Sequence, residues 1–378
     1  MKKEIKNLID ISRFYGRDIS YTLGGGGNTS YKDKNLLYIK ASGHSLATIS
    51  EDGFAVLDRN RLSPMLSRDY SNDSSQRELE VKNDLMKSSI HPEKQLRPSV
   101  ETSLHDMIHY SYVVHTHPYM VNALMCSKDV FSCTKELFGD EALLIPYTDP
   151  GFVLSKTVAA EVNKYKETYS IDPKIIFLQN HGVFVAADTI EEIKNLYDKI
   201  LQKIKSRIQE EIKIEDIPAT RDFKKFLNVV DSILGTGQFS DYRNNSLVNH
   251  FTSNQDTLNQ IIYPFIPDGI VYCKAYPLIL EAGDWMSLDV KGLKKRISNF
   301  EQKYNYFPKI ILLQNGPMLS IDSTRKSAKL ALDIFEDGMK ISFYSNSFGG
   351  PSFMTKEQID FIDNWEVENY RRMISAGE

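Results

Sequence analysis

The sequence predicts an α/β protein: a layered α/β/α domain followed by a second, degenerate α/β repeat. Helical and strand-like apolar patterns alternate over residues 99–208, as is typical of helices packed on a sheet. The segment 173–180 returns at 308–315 with seven of eight residues identical. At 378 residues the chain also exceeds one ordinary domain. We therefore expect a first domain over 1–214 and a second over 221–378.

The N-terminal region predicts one helix followed by polar turns and a strand. Apolar residues recur at near-helical spacing over 5–14. A glycine run at 24–27 leads to a strand over 36–40. Residues 58–98 are polar and weakly periodic, so we expect an exposed excursion with one helix near 78–87.

The remainder of the first domain alternates helices with strands. The predicted elements are a helix over 102–110, a strand over 112–117, a helix over 118–125, a strand over 143–145, a helix over 155–166 and a hairpin over 175–186. Residues 188–191 resemble a capping box that opens a long amphipathic helix reaching Ile208. A polar segment at 215–220 predicts a linker.

The second half repeats part of the first with different residues. Beyond the repeated segment, both copies continue with a glycine, a short strand and a long helix. Aligning 270–277 with the strand that ends at Pro118 matches three histidines with other residues: His115 with Lys274, His117 with Tyr276 and His181 with Gly316. The pattern predicts a duplicated domain that lost these histidines. A chance resemblance between two hairpins stays open, because the spacing upstream of the two segments is unequal.

Composition limits the partners of the chain. The net charge is −4 and charged residues make up 25%, so there is no basic field to attract nucleic acid or an anionic membrane. The cysteines Cys126, Cys133 and Cys273 have no CxxC spacing, which favours a reducing cytoplasm over a disulfide framework. No apolar stretch approaches the length that spans a bilayer. We expect a cytoplasmic protein that acts on a small molecule.

Three histidines carry the strongest functional signal. His115 and His117 alternate along a predicted strand, so both imidazoles project from one face of the sheet. His181 follows a second apolar run, in a turn. Three imidazoles would hold a divalent ion and leave a coordination position for substrate. The alternative is a set of ordinary hydrogen-bonded histidines on a half-buried strand.

Polar residues upstream add a candidate acid or base and a candidate anion site. Glu101 precedes the helix that feeds the histidine strand, where a carboxylate can move a proton, although the helix dipole alone also favours glutamate there. The glycines before Asn28 expose backbone amides, and Ser42, Gly43 and Ser99 add donors, so together they would hold an anion such as phosphate, although a glycine run alone is usually only a turn. The run lacks the lysine and spacing of a P-loop, which argues against a nucleotide site.

These motifs together resemble the class II aldolase/adducin family over residues 8–208. The matching motifs are Gly-Asn-Thr-Ser at 27–30, Ser-Gly at 42–43, Ser-x-Glu at 99–101, His-x-His-Pro at 115–118 and Asn-His-Gly at 180–182. The likeness is greatest to the aldolase part of bifunctional rhamnulose-1-phosphate aldolase/alcohol dehydrogenases, through 25–30, 97–102 and the ending 363–368. We expect no dehydrogenase domain after Glu378.

The resemblance implies a zinc-dependent lyase and a role for each motif. The implied zinc ligands are His115, His117 and His181, the implied acid/base is Glu101, and the implied phosphate-binding residues are Gly27, Asn28, Ser42, Gly43 and Ser99. The implied reaction cleaves a ketose 1-phosphate, such as rhamnulose or fuculose 1-phosphate, to dihydroxyacetone phosphate and an aldehyde by a metal-stabilised enediolate. A tyrosine such as Tyr147, or one from a neighbouring subunit, would serve the aldehyde side. Some sugar-phosphate aldolases of the family have two serines before the glutamate, where this chain has Ser99-Val100.

Other activities of the family stay open. Another divalent transition metal would suit the same ligands. A decarboxylase, dehydratase or 4-epimerase would use similar chemistry, although the epimerases have aspartate where Glu101 stands. An adducin-like interaction protein would lack the histidines. Related enzymes form rings with sites between subunits, so we expect a homo-oligomer in which the second half is a structural copy that packs as a neighbouring subunit would. A regulatory binding module is the alternative for the second half. We expect His105, His109 and His250 to be ordinary core or surface histidines.

Overall fold

Helices and strands alternate in both halves of the chain in a computed structural model that describes residues 2–287 and 289–364. The first of two compact units holds residues 2–125 and 129–207. The second holds 126–128, 208–287 and 289–364. This mixed α/β architecture confirms the predicted fold class. Residues 365–368 of the predicted C-terminal motif lie outside the described residues.

The first unit contains a seven-stranded sheet and eight helices among its described residues. The helices are α1 (Lys3–Gly16), α2 (Arg59–Leu62), α3 (Ser74–Lys87), α4 (Thr102–Met107), α5 (Tyr119–Met125), α6 (Val130–Phe138), α7 (Phe152–Tyr169) and α8 (Ile190–Lys205). The strands are β1 (Asn28–Lys32), β2 (Leu36–Lys40), β3 (Phe54–Asp58), β4 (Tyr112–Thr116), β5 (Leu143–Ile145), β6 (Ile175–Leu178) and β7 (Gly182–Ala187).

The sheet has the order β3-β2-β1-β4-β7-β6-β5, with helices on both faces. Strand β4 lies in the middle, antiparallel to both β1 and β7, and all five of its residues are buried. Helices α4 and α7 cover the face that carries Val113, in a core shared with Phe184. Side chains alternate along a strand, so His115 projects towards this same face as Val113. Helix α8 contacts both α1 and α5, and each of these three helices also contacts a strand of the sheet.

Strand β2 and the start of helix α8 lie where the sequence predicted them, whereas the prediction that residues 58–98 are exposed is partly wrong. Strand β2 matches its predicted range, and α8 begins beside Thr189, whose side chain accepts a hydrogen bond from the Glu192 amide. The predicted excursion does contain a helix, α3, but it is not wholly exposed. Its Val81 and Leu85 are buried against Leu37. The polar composition hid this packing because only one narrow stripe of α3 is apolar.

The second unit contains a four-stranded sheet. Its helices are α9 (Arg221–Ile233), α10 (Ser246–Thr252), α11 (Gln255–Leu258), α12 (Pro267–Cys273), α13 (Ala282–Trp285), α14 (Val290–Tyr304), α15 (Arg325–Ser345) and α16 (Lys356–Asn364). Its strands are β8 (Phe239–Arg243), β9 (Leu278–Leu280), β10 (Ile310–Leu313) and β11 (Met318–Asp322), in the order β8-β11-β10-β9. Helices α9 and α14 supply one apolar core with the sheet, while α15 packs on β8 and β11.

The four-stranded sheet repeats the topology of β4-β7-β6-β5. In the first unit β4 pairs antiparallel with β7, β7 antiparallel with β6, and β6 parallel with β5. In the second unit β8, β11, β10 and β9 pair in the same senses. The repeated segments 173–180 and 308–315 therefore occupy equivalent places, on β6 and β10. This agreement supports a duplication, and the assignment of the second half as a degenerate repeat stays our proposal.

The upstream part of the predicted alignment is wrong. Most of the segment 270–277 belongs to helix α12 and the turn after it, so it does not correspond to β4. The equivalent of β4 is β8, and the register of the two sheets matches His115 with Tyr242 and His117 with Asn244. Position 316 still corresponds to His181. A Cβ atom on Gly316 would lie 2.9 Å from Cζ2 of Trp285, so the indole excludes a side chain there.

Candidate functional site

Strand β4 and its sheet neighbours hold the first two histidines. His115 is fully buried and stacks on the Phe184 ring of β7, with ring centroids 4.1 Å apart. Its Nδ1 lies 3.0 Å from the Val183 carbonyl oxygen and must carry the hydrogen, because a carbonyl only accepts. The neutral His115 ring therefore has its lone pair on Nε2, where it is available to a metal ion. His117 follows the strand, and its amide donates to the Tyr21 carbonyl at 3.0 Å.

A tight hairpin turn between β6 and β7 presents the third histidine. Asn180 adopts a left-handed conformation with φ of 53°, which asparagine tolerates better than most residues. The His181 amide donates to the Leu178 carbonyl, and the Asn122 side chain donates to the His181 carbonyl at 3.3 Å. A Cβ atom on Gly182 would lie 2.5 Å from the Thr116 carbonyl oxygen, so only glycine allows β7 to begin here.

The three predicted metal ligands converge on one point. One nitrogen from each of His115, His117 and His181 lies within 4.8 Å of the others. The Nε2 atoms of His115 and His117 are 3.0 Å apart. Glu101 Oε1 lies 3.4 Å from His115 Nε2 and 3.6 Å from His181 Nε2. The sequence-predicted histidines and carboxylate therefore meet in space, although they come from three separate segments.

This donor set fits a divalent ion. Two nitrogens bound tetrahedrally to one zinc ion lie about 3.3 Å apart, close to the observed separation. Among the described residues, Glu101 Oε1 is a buried atom without a hydrogen-bond partner, and it faces the histidine nitrogens. The contact between His115 Nδ1 and Val183 is the kind of outer interaction that orients metal-binding imidazoles. The arrangement suits a cation held by the three imidazoles, with the Glu101 carboxylate beside it.

Two of the predicted anion-binding residues contact the segment that holds Ser99. Asn28 Nδ2 donates to Ser99 Oγ at 3.1 Å and also to Glu101 Oε2. The Ser42 amide donates to the Arg97 carbonyl, which brings the Ser42-Gly43 turn beside the segment that leads to Ser99. Gly27 has φ of 69°, and a Cβ atom there would lie 2.8 Å from the His115 carbonyl oxygen. The turn residues and the carboxylate are therefore neighbours, and Asn28 joins them.

Tyr147 follows β5 in a loop connected to the His181 turn. The Tyr147 amide donates to Oε1 of the Gln179 side chain at 3.0 Å. Its hydroxyl donates to Asp149 Oδ1 at 3.1 Å. Burial, and secondarily the Asp149 charge, raise the pKa of the Tyr147 hydroxyl. The hydroxyl therefore keeps its proton at neutral pH.

Three further polar residues near this site were not predicted. His105, expected to be an ordinary histidine, is fully buried and contacts Asn28 and Ser30. Lys40 is 6% exposed, and its Nζ lies 3.4 Å from the Gly25 carbonyl oxygen. Asn122 is fully buried and holds the His181 turn. The only sequence signal for His105 is its position four residues after Glu101, on the same side of α4.

The second unit has no equivalent cluster within its described part. The three site histidines form the one candidate metal group found among residues 2–287 and 289–364. Tyr242, Asn244 and Gly316 occupy the equivalent places in the second sheet. Across the same residues, no helix combines the length and the apolar character that membrane crossing requires.

Comparisons with known proteins match the first unit to a family and the whole chain to one relative. The model of the family described as class II aldolase and adducin N-terminal domain matches residues 6–202, slightly more than half of the chain. A Bacillus subtilis (strain 168) protein called uncharacterized oxidoreductase YuxG is 23% identical over an alignment of 427 positions, which covers 100% of this chain and 59% of that protein. The chain thus spans about three fifths of this relative's length.

Solved structures of similar proteins cover about half of the chain. The N-terminal class II aldolase domain of a conserved Thermoplasma acidophilum protein is 25% identical, with a TM-score of 0.46, over 55% of this chain and 94% of that one. An L-fuculose 1-phosphate aldolase is 19% identical, with a TM-score of 0.36, over 55% and 85%. A Thermotoga maritima sugar-phosphate aldolase is 13% identical, with a TM-score of 0.37, over 55% and 97%. Because these TM-scores lie below 0.5, the assignment rests on the sequence match: the chain belongs to the class II aldolase and adducin family.

Proposed function

We propose that this chain is a zinc-dependent aldolase that cleaves a ketose 1-phosphate of the rhamnulose or fuculose type to dihydroxyacetone phosphate and an aldehyde. The observation that carries the proposal is the convergence of three imidazoles and the Glu101 carboxylate on one point. Membership of the class II aldolase and adducin family supports it.

His115, His117 and His181 would hold the ion. Imidazole nitrogens suit zinc, and a set of three protein ligands leaves a position open to substrate. When bound, a divalent ion would supply Lewis-acid polarisation of the C2 carbonyl of the ketose, which favours breaking the bond between C3 and C4 because the electrons left on C3 are delocalised into that carbonyl. The protein contributes orientation, because Val183 fixes the His115 tautomer and Asn122 holds the His181 turn.

Glu101 would move the proton at the substrate carbon. Breaking the bond between C3 and C4 of the ketose leaves C3 in need of a proton, and the carboxylate lies beside the histidine nitrogens. Its second oxygen, Oε2, accepts from the Asn28 amide, so Oε1 keeps a fixed direction. In cleavage the C4 hydroxyl loses one proton as the aldehyde forms and C3 gains one, so no net proton is consumed. Tyr147 keeps its proton, which suits donation to the aldehyde oxygen when the reaction runs in the condensation direction.

The substrate phosphate would lie against the glycine turn. The Ser99 hydroxyl accepts from Asn28 and from the Glu101 amide, so its own hydrogen remains to be donated to a phosphate oxygen. Gly27, Ser42 and Gly43 would add donors, and the buried ammonium of Lys40 adds positive charge nearby. Asn28 directs its amide hydrogens to Ser99 and Glu101, so we assign it to the carboxylate rather than to the phosphate.

Product analysis tests the proposal. Purified protein supplied with zinc, manganese or cobalt is incubated with ketose 1-phosphates, and dihydroxyacetone phosphate is measured through its enzymatic reduction by NADH. We expect equal amounts of dihydroxyacetone phosphate and aldehyde, and no turnover of the unphosphorylated ketose. Release of carbon dioxide or water from a sugar-acid phosphate, or formation of an epimer without fragments, would replace the aldolase assignment with another activity of the family.

A further inference from the structure

The structure places a buried histidine directly behind Asn28 and Glu101. His105 lies on α4 and is fully buried, with its ring edge-to-face against Phe184. Its Nδ1 lies 2.7 Å from Ser30 Oγ, and its Nε2 contacts Asn28 Oδ1. Residues 28 and 30 alternate on β1, so both side chains reach the same imidazole. The His105 carbonyl also accepts from Lys32 Nζ at 2.6 Å, which anchors the backbone.

The hydrogens of this network can be assigned from Glu101 outward. A carboxylate oxygen only accepts, so the Asn28 amide must present its NH₂ group to Glu101 Oε2 and to Ser99. Asn28 Oδ1 then faces His105, whose Nε2 must carry a hydrogen and donate it. The neutral ring has its lone pair at Nδ1, where the Ser30 hydroxyl donates. Each hydrogen donated by Ser30, His105 and Asn28 in this network therefore meets one acceptor.

Burial supports the neutral form of the ring. Desolvation, followed by the nearby His115 and Lys32, lowers the pKa of His105 well below its usual value. A neutral imidazole has one hydrogen and one lone pair, which is the pattern that this network requires.

We propose that His105 is a positioning residue: through Asn28, it fixes the direction in which Glu101 faces the histidine cluster. Without the His105 hydrogen, Asn28 Oδ1 would be a buried acceptor without a donor, and the amide would turn to find one. Its NH₂ group would then leave Glu101 Oε2, and the carboxylate would lose the contact that orients it. The catalytic part of this inference rests on the proposed function, whereas the orientation of Asn28 does not.

Two substitutions at one position separate positioning from simple packing. His105→Gln keeps a donor near the place of Nε2 and an acceptor for Ser30, whereas His105→Phe keeps the ring contact with Phe184 and removes both. We expect His105→Phe to lower kcat about 10- to 100-fold, the range typical of lost outer hydrogen bonds at metal sites, with nearly unchanged KM and metal content. We expect His105→Gln to restore most of kcat.

A structural control and an activity-independent measurement complete the test. Ser320→Ala removes a buried hydrogen bond in the second unit, from Ser320 Oγ to the Ala328 carbonyl at 2.7 Å, and should lower stability without changing kcat. Crystal structures should show the Asn28 amide turned from Glu101 in His105→Phe and held in His105→Gln. An unmoved Asn28, or wild-type kcat in His105→Phe, would overturn the inference. Absence of ketose 1-phosphate cleavage by the wild type would instead refute the proposed function, and the crystal structures would still decide the role of His105.

Discussion

Replacing Glu101 with glutamine removes one charge and one proton-transfer atom while keeping the shape of the side chain. Glu101 is 7% exposed, and its Oε2 accepts from the Asn28 amide. The glutamine carbonyl oxygen can take that acceptor position. Its NH₂ group then lies where Oε1 now faces His115 and His181 at 3.4 and 3.6 Å. The fold and the three imidazoles should therefore be retained.

The expected loss lies in turnover. A positioned acid or base contributes about 10²- to 10⁴-fold to a rate. This factor corresponds to about 3 to 5 kcal/mol of activation free energy, at 1.36 kcal/mol for each tenfold change. We expect kcat of Glu101→Gln to fall by this factor, with KM changed little because the proposed phosphate donors remain. Metal content should stay near that of the wild type because all three histidines remain.

The assay compares steady-state cleavage of a ketose 1-phosphate with the metal content of the same preparations. Glu93→Gln is a matched control, because this glutamate has a side chain that is 67% exposed and contacts only His91 among the contacts described for it. Near-normal kcat in Glu101→Gln would refute the acid/base role. Loss of the metal from Glu101→Gln would show instead that the carboxylate is needed for metal binding.

Two predictions concern stability. Gly27→Ala should lower the free energy of unfolding by about 1 kcal/mol because of its positive φ, and by about 1–3 kcal/mol more because of the contact with the His115 carbonyl oxygen. Gly139 also has a positive φ but has open space around it, so Gly139→Ala should show only the first of these losses. Equal losses in chemical denaturation would contradict this account. Burial raises the pKa of Asp337 to about 8, above the usual value of 3.8. As pH rises, the unfolded chain therefore releases this proton at a lower pH than the folded chain does. The free energy of unfolding should then fall between about pH 4 and about pH 8. Asp337→Asn removes this effect, so its Tm should exceed that of the wild type by more at pH 8 than at pH 5, and a pH-independent difference would count against it.

The sequence predicted the central sheet of the first unit better than the second unit. Strands β4, β6 and β7 are buried on both faces and appear as continuous apolar runs, so they could be recognised. Strand β8 lies at a sheet edge and is only partly buried, so its polar sequence gave no strand signal. The apolar run before Lys274 was mistaken for a strand, because a short buried helix such as α12 has the same composition.

The sequence predicted the three histidines and the carboxylate of the candidate site, but not the hydrogen bonds that hold the carboxylate in place. The alternation of His115 and His117 on a strand could be inferred from spacing alone, and the structure brings His181 and Glu101 to the same point. The hydrogen bond from Asn28 to Glu101 could not be foreseen, because the two residues lie 73 positions apart in sequence. His105 was missed for the same reason: its partners belong to β1, which reaches α4 only through the packing of the fold.

Metal binding by the histidine cluster is the central claim, and elemental analysis of purified protein tests it most directly. The wild type should contain about one divalent ion per chain after growth or dialysis with zinc. His181→Ala should contain little, whereas His109→Ala should match the wild type, because His109 is largely exposed and pairs with Asp172 at 2.9 Å. A wild type that holds no ion, or a His181→Ala variant that holds as much as the wild type, would contradict the account.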